Sequence, residues 1–141
     1  MKKLAIFAII GLLLFGITGV ASAQVQDDGC QYCCKVVITG CTFSCGGFYI
    51  PGAFVDLYGP LRDCAVDGVV CTESNPMGQY GLWVKVPLGN HWGNTVAAVA
   101  WFNWGGYNEV YYEGVTAGFN VDCAVIGQYV MLTKDIPMWA Y

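Results

Sequence analysis

The chain has 141 residues, a formal net charge of −4, 11% charged and 56% hydrophobic residues, and eight cysteines. An acidic chain with only six Lys and Arg lacks the basic surface that nucleic acid requires. Its length is that of one domain, large enough to bury a core.

In chain order, Met1-Lys2-Lys3 is a basic start, Leu4 to Val20 is nearly unbroken apolar sequence, and Ala21-Ser22-Ala23 is a small-x-small site. This is the layout of a cleavable secretory signal peptide over residues 1–23. Gln24 follows rather than Cys, so no lipid anchor is indicated. Removing the leader takes Lys2 and Lys3 with it. Lys35, Arg62, Lys85 and Lys134 then face ten acids. No later apolar run reaches the ~20 residues of a spanning helix, so no membrane span is expected in the mature chain. The expected location is secreted, extracellular or at the cell surface, with the periplasm in transit.

Residues 24–34 read as a Cys-rich N-terminal arm, 35–134 as the folded domain and 135–141 as an aromatic tail. Lys35 to Thr39 is β-branched and predicts a strand. Thr42 to Gly52 reads as a loop. Ala53 to Tyr58 alternates and predicts a second strand, and Val69 to Thr72 a short third. Asn75-Pro76-Met77-Gly78 is turn chemistry. Gln79 to Val86 alternates, with Tyr80, Leu82, Val84 and Val86 on one face. Thr95 to Phe102 is nearly all apolar and predicts a strand buried on both sides. Gly105-Gly106 marks a turn, and Val110-Tyr111-Tyr112, Gly118 to Val125 and Gln128 to Thr133 supply the last strands. Short strands at turn spacing, with no amphipathic helix, predict an all-β, antiparallel seven- to eight-stranded sandwich stabilised by disulfides.

The eight cysteines are Cys30, Cys33, Cys34, Cys41, Cys45, Cys64, Cys71 and Cys123. An even number in an exported chain points to disulfides, with 105 possible pairings for four bridges. Asp67-Gly68 is a hairpin signal, so Cys64 and Cys71 on either side of it are expected to face each other. Cys123 is expected to tie the late chain to the early one. A zinc site would need a second C-x-x-C or partner histidines, and the only histidine is His91.

The order of motifs resembles a known family. Val37-x-x-Gly40 is followed by Ile50-Pro51-Gly52-Ala53-x-Val55-x-Leu57. Then come Thr72-Glu73-Ser74, Gly78-x-Tyr80-x-Leu82, Val86-Pro87-x-Gly89, Gly106-Tyr107, and Gly114 with Phe119-x-Val121. Over residues 36–123 this is similar to a carboxypeptidase regulatory-like domain of the transthyretin-like or Cna-B-like sandwich group. Glu73 stands where the family usually has Asp, Asn75-Pro76 lengthens the turn, and the cysteines are additional. The resemblance implies a sandwich that serves as an accessory, adhesive or fibre module. Some Cna-B-like domains join a Lys to an Asn, as Lys35 and Asn120 could be joined. Trp83, four residues before Pro87, lacks the acid that this bond needs, so no such bond is expected.

No catalytic constellation stands out. Ser44 and Ser74 lack a nucleophile-elbow pattern, His91 reads as a surface loop residue, and Glu109 and Glu113 sit four apart on one strand face. No catalytic residue, cofactor or metal site is assigned; Asp63, Asp67 and Asp122 leave calcium open, with no loop motif behind it. Aromatics are dense, with five Trp, nine Tyr and seven Phe. Trp92, Trp104, Tyr107, Tyr111, Trp139 and Tyr141 are the candidate interface or ligand residues, whereas Trp101 and Phe102 read as core. Ionic groups too few to cover the exterior imply a shared aromatic surface. The expectation is a secreted, non-catalytic homo-oligomer or polymer in an extracellular filament or surface assembly. The alternative is a monomeric carbohydrate-binding or adhesive module that stacks rings on polysaccharide.

Overall fold

A computed structural model describes residues 33–103 and 109–141. Trp104, Tyr107, Cys30 and the expected leader lie outside the described residues. The described chain is nearly all β, with ten strands. They are β1 (Cys33–Ser44), β2 (Phe54–Tyr58), β3 (Asp67–Val69), β4 (Cys71–Glu73) and β5 (Gln79–Pro87), followed by β6 (Gly89–Asn103), β7 (Glu109–Val115), β8 (Phe119–Cys123), β9 (Tyr129–Thr133) and β10 (Ile136–Ala140). One four-residue helix, α1 (Pro60–Asp63), follows β2.

The strands form a nearly closed sandwich. One layer runs β3-β5-β1-β9 and the other β4-β2-β6-β7-β10. Strand β1 joins them, because Lys35–Thr39 carry β9 and Thr42–Ser44 carry β10 on the same side. Strand β8 pairs with the first part of β6. Both β9 and β10 run parallel to β1, so the sandwich is not purely antiparallel as expected. The chain enters them from β8 through 124–128 and continues alongside β1.

Alternation decides what is buried. Tyr80, Leu82, Val84 and Val86 of β5 meet Val36 and Ile38 of β1, Val55 and Leu57 of β2, and Val96, Ala98 and Ala100 of β6 in one core. Each fully buried Leu or Val contributes roughly 1.5–3 kcal/mol relative to exposure. The expected 42–52 loop begins late, because β1 continues to Ser44. The expected tail is a strand: Ile136 and Met138 are fully buried between β1 and β7.

The Cys34–Cys123 disulfide joins β1 to β8 across 89 residues. A loop of that length constrains the unfolded chain by about 4–5 kcal/mol in the loop-entropy account. Cys33 is disulfide-bonded as well. Cys41, Cys45, Cys64 and Cys71 are free thiols, contrary to an all-disulfide set. The Cys64–Cys71 expectation fails because Asp67-Gly68 is not a hairpin turn. It lies in β3, which pairs with β5, whereas β4 pairs with β2. Gly68 has φ +144°, and a Cβ there would collide with the Trp83 carbonyl. Glycine at this position permits close approach to β5 rather than a turn.

Buried polar groups fix the irregular parts. Asn94, fully buried, donates to His91 O (2.7 Å) and Phe119 O (3.1 Å) and accepts from Leu61 N–H (2.9 Å). It thereby holds the β6 bulge between His91 and Asn94, β8 and α1 together. Ser74 accepts from Ala53 N–H (2.9 Å) and donates to Ile50 O (2.9 Å).

Candidate interaction face

The layer β4-β2-β6-β7-β10 turns one face to the core and the other outward. The apolar run in β6 is therefore not buried on both sides. Val96, Ala98 and Ala100 point in, whereas Ala97, Val99 and Trp101 point out. Register places the outward residues in rows. Val99 lies between Phe54 of β2 and Glu113 of β7, with Trp139 of β10 beyond Glu113. Trp101 lies opposite Tyr111, and Tyr141 N–H donates to Tyr111 O (2.8 Å).

The rings on this face touch in sequence. Phe54 and Trp101 have centroids 6.4 Å apart, Trp101 and Tyr111 5.2 Å, and Tyr111 and Tyr141 6.1 Å. They are open to solvent: Trp101 is 50% exposed, Trp139 59% and Tyr141 77%. Glu73 lies opposite Phe54 and Asp56 opposite Ala97 on the same face, and Glu113 Oε2 accepts from the Tyr111 hydroxyl (2.8 Å). That bond holds the Tyr111 phenol pKa above its ordinary value. At the rim, Asp56 faces Arg62 (3.9 Å), whose guanidinium sits 5.5 Å from the Tyr58 ring centroid. Successive ring planes turn by 62°, 47° and 47°, so the surface is corrugated rather than flat.

Of the six aromatic residues expected to form an interface, Tyr111, Trp139 and Tyr141 meet here. Trp92 does not. It sits at the β6 bulge, where its Nε1–H donates to Asp122 Oδ1 (2.7 Å). Nine residues along β6 from Trp101, it is about 30 Å away at the usual strand rise. Sequence reasoning missed Phe54 and placed Trp101 in the core. The alternation of β2 carried the signal: Val55 and Leu57 inward puts Phe54, Asp56 and Tyr58 outward. Tyr112, next to Tyr111, is buried and edge-packed against Phe48 and Phe102.

A second feature is a cavity of about 300 Å³ lined by Thr39, Gly40, Cys41, Gln79, Tyr80, Thr133 and Asp135. It opens where the chain breaks between β9 and β10. There Asp135 Oδ1 replaces a ladder carbonyl and accepts from Cys41 N–H (2.9 Å). The Tyr80 hydroxyl donates to the Lys134 carbonyl. A Cβ on Gly40 would collide with that same carbonyl. Burial, with Asp135 adding, pushes the Cys41 thiol pKa up, which depletes the thiolate that a nucleophile needs.

The other nominated residues are occupied locally. His91 is buried, not a surface loop residue, and its Nε2 lies 2.7 Å from Pro87 O. Asp67 accepts from Gly68 N–H, and Asp122 is engaged by Trp92. Asn120 accepts from Gly93 N–H (3.0 Å). Lys35 Nζ rests 4.6 Å from the Trp83 ring centroid and 5.7 Å from that of Tyr129. Burial, then Lys85 across the ladder, lowers the Lys35 pKa against the pull of Asp67.

No family model and no curated protein matches the chain. Solved structures give slight likenesses. Phospholipase PlaB from Legionella pneumophila is 12% identical with TM-score 0.40, over 74% of this chain and 25% of that one. Chlorocatechol 1,2-dioxygenase from Pseudomonas putida is 12% identical with TM-score 0.35, over 79% and 61%. The pilus-presented adhesin Spy0125 (Cpa) is 12% identical with TM-score 0.24, over 75% and 27%. The chain thus spans between a quarter and about three-fifths of the lengths of these proteins. Likeness at this level carries no argument about activity.

Proposed function

We propose that the protein is a secreted, non-catalytic structural subunit that associates with copies of itself through the outer face of the β4-β2-β6-β7-β10 layer. The observation behind this reading is the connected run of outward rings, Phe54, Trp101 and Tyr141 exposed and Tyr111 half-buried between them. With Trp139 they flank Val99, which lies between Phe54 and Glu113 in the register. Central interface patches are rich in Trp, Tyr and Phe in this way, and here the carboxylates Glu73, Asp56 and Glu113 stand beside the rings. Turned ring planes suit interlocking with a partner's side chains. A flat polysaccharide surface is better served by coplanar rings, so the carbohydrate reading has less behind it.

Light scattering of the purified protein, with and without reductant, tests the proposal. Multimers are expected in both conditions, with Trp101→Glu reducing their mass. Persistence only without reductant would assign the association to the exposed Cys45, Cys64 and Cys71 thiols instead. A monomer at high concentration that is retained on insoluble polysaccharide, and loses retention on Trp101→Ala, would replace self-association with the carbohydrate reading.

A further inference from the structure

Strand β9 closes one side of its layer, and its far edge has no strand partner among the described residues. Register identifies the main-chain groups left there. Lys35 N–H donates to Gln128 O and Lys134 N–H donates to Thr39 O, both at 2.8 Å. Residues 128, 130, 132 and 134 therefore turn their peptide groups toward β1. The N–H and C=O of Tyr129, Met131 and Thr133 point the other way, outward. Natural edges are usually blunted by Lys, Pro, a bulge or brevity. Tyr129-Val130-Met131-Leu132-Thr133 has no charge, no Pro and no Gly. Its Tyr129 and Met131 side chains are 40% and 56% exposed, while Val130 and Leu132 pack on the core.

We infer that this edge pairs with the same edge of a second copy, antiparallel about a two-fold axis through Met131. The occupant follows from self-complementarity, which an isologous contact requires. With Met131 opposite Met131, Tyr129 falls opposite Thr133. Each outward-pointing residue then exchanges both N–H···O bonds with its opposite number. Val130 falls opposite Leu132, which continues the apolar inner surface from one copy into the next. The charges also fit: Lys134 comes opposite Gln128 and Asp135 opposite Gly127, so no like charges meet across the axis. The contact is separate from the aromatic face. Together with that face, and resting on the proposal made for it, the edge gives each chain two different self-complementary contacts. Two such contacts build a linear polymer where their two-fold axes do not meet and a closed dihedral assembly where they do, whereas either one alone stops at a dimer.

Two experiments on the purified protein test the edge. The first is mass measurement in solution, with folding checked by circular dichroism. Trp101→Glu with Trp139→Glu is expected to leave a dimer, and adding Met131→Lys, which opposes two ammonium groups at the axis, is expected to give a monomer. If the face variant is already a monomer, the edge inference is overturned and the face reading stands. If the face variant keeps the full multimer mass, the face reading falls. If the added Met131→Lys leaves the dimer unchanged, the edge inference is overturned. The second is cross-linking of Met131→Cys under oxidising conditions, with linked peptides mapped by mass spectrometry. Hydrogen-bonded antiparallel partners lie ~5.5 Å apart at Cα, within disulfide reach. A 131–131 link is expected, whereas Thr133→Cys should link to Tyr129→Cys on a mixed partner and not to itself. A 133–133 link, or no 131–131 link, would overturn the register.

Discussion

The two faces of the β4-β2-β6-β7-β10 layer are built from adjacent residues of the same strands, yet they differ in kind. The inner face is largely aliphatic, with Val55, Leu57, Val96, Ala98 and Ala100 and two tucked aromatics, Tyr112 and Phe102. The outer face is aromatic and open, with Phe54, Trp101, Tyr111, Trp139 and Tyr141. Both are apolar, so the hydrophobic effect acts on both. The inner face is satisfied by the opposite layer. The outer face leaves its rings in water, where they are available to a partner. Composition alone therefore does not separate a core from an interface; the strand partners on either side do.

Mutations on the two faces should separate stability from association. Leu57→Ala is expected to cost about 2–5 kcal/mol in chemical denaturation, as large-to-small core changes do. Trp101→Ala should change stability by no more than about 0.5 kcal/mol, since exposed positions are tolerant, while lowering multimer mass. The pair breaks the comparison if Trp101→Ala in dilute, monomeric protein costs as much as Leu57→Ala. The outer face would then be acting as core.

The junction between the layers offers a pH-dependent test. Tyr80 is buried beneath the β9–β10 break and donates to the Lys134 carbonyl. Its phenol pKa is raised, first by burial and then by Asp135 and Cys41. An unfolded phenol titrates near 10. The folded state keeps the neutral form above that pH, while the unfolded state ionises. The contribution of Tyr80 is thus complete below about pH 10 and is lost as pH climbs through the folded value. Unfolding curves at pH 8 and pH 11 should show Tyr80→Phe less stable by about 1 kcal/mol at pH 8, because the half-buried Lys134 carbonyl loses its donor. The gap to wild type should narrow at pH 11. A gap that is constant with pH would mean that the hydroxyl does not titrate differently in the two states.

What the sequence made legible was local and periodic. Period-two alternation marked the buried face of β5 and the existence of β2, because it needs no knowledge of partners. Three features were hidden because they depend on distant chain. The segment 135–141 looked like a loose tail, since Pro137 weakens a strand reading. Its burial comes from β1 and β7, which lie far from it in sequence. Asp67-Gly68 carried a turn signal, and the approach of β5 used the glycine otherwise. The run 95–102 gave no sign of which side would be covered. Among the candidate residues, Tyr111, Trp139 and Tyr141 were legible as an aromatic group. Phe54 was not, because only the pairing of β2 with β6 brings it beside Trp101.

A stabilising change is expected at the edge of the same layer. Thr72 sits on β4 opposite Val55, so its side chain turns inward. Its hydroxyl is buried and has no hydrogen-bond partner among the described residues. A hydroxyl in that state carries its desolvation cost without return, and an apolar group of the same shape removes the cost. Thr72→Val keeps the β-branch that suits a strand and exchanges the hydroxyl for a methyl facing the aliphatic inner surface. Denaturant titration should show a gain of about 1 kcal/mol with the slope unchanged, and multimer mass should stay as in wild type. A loss of stability would mean that the inner face ends before β4. The boundary between the aliphatic side and the open aromatic side would then lie one strand further in, at β2.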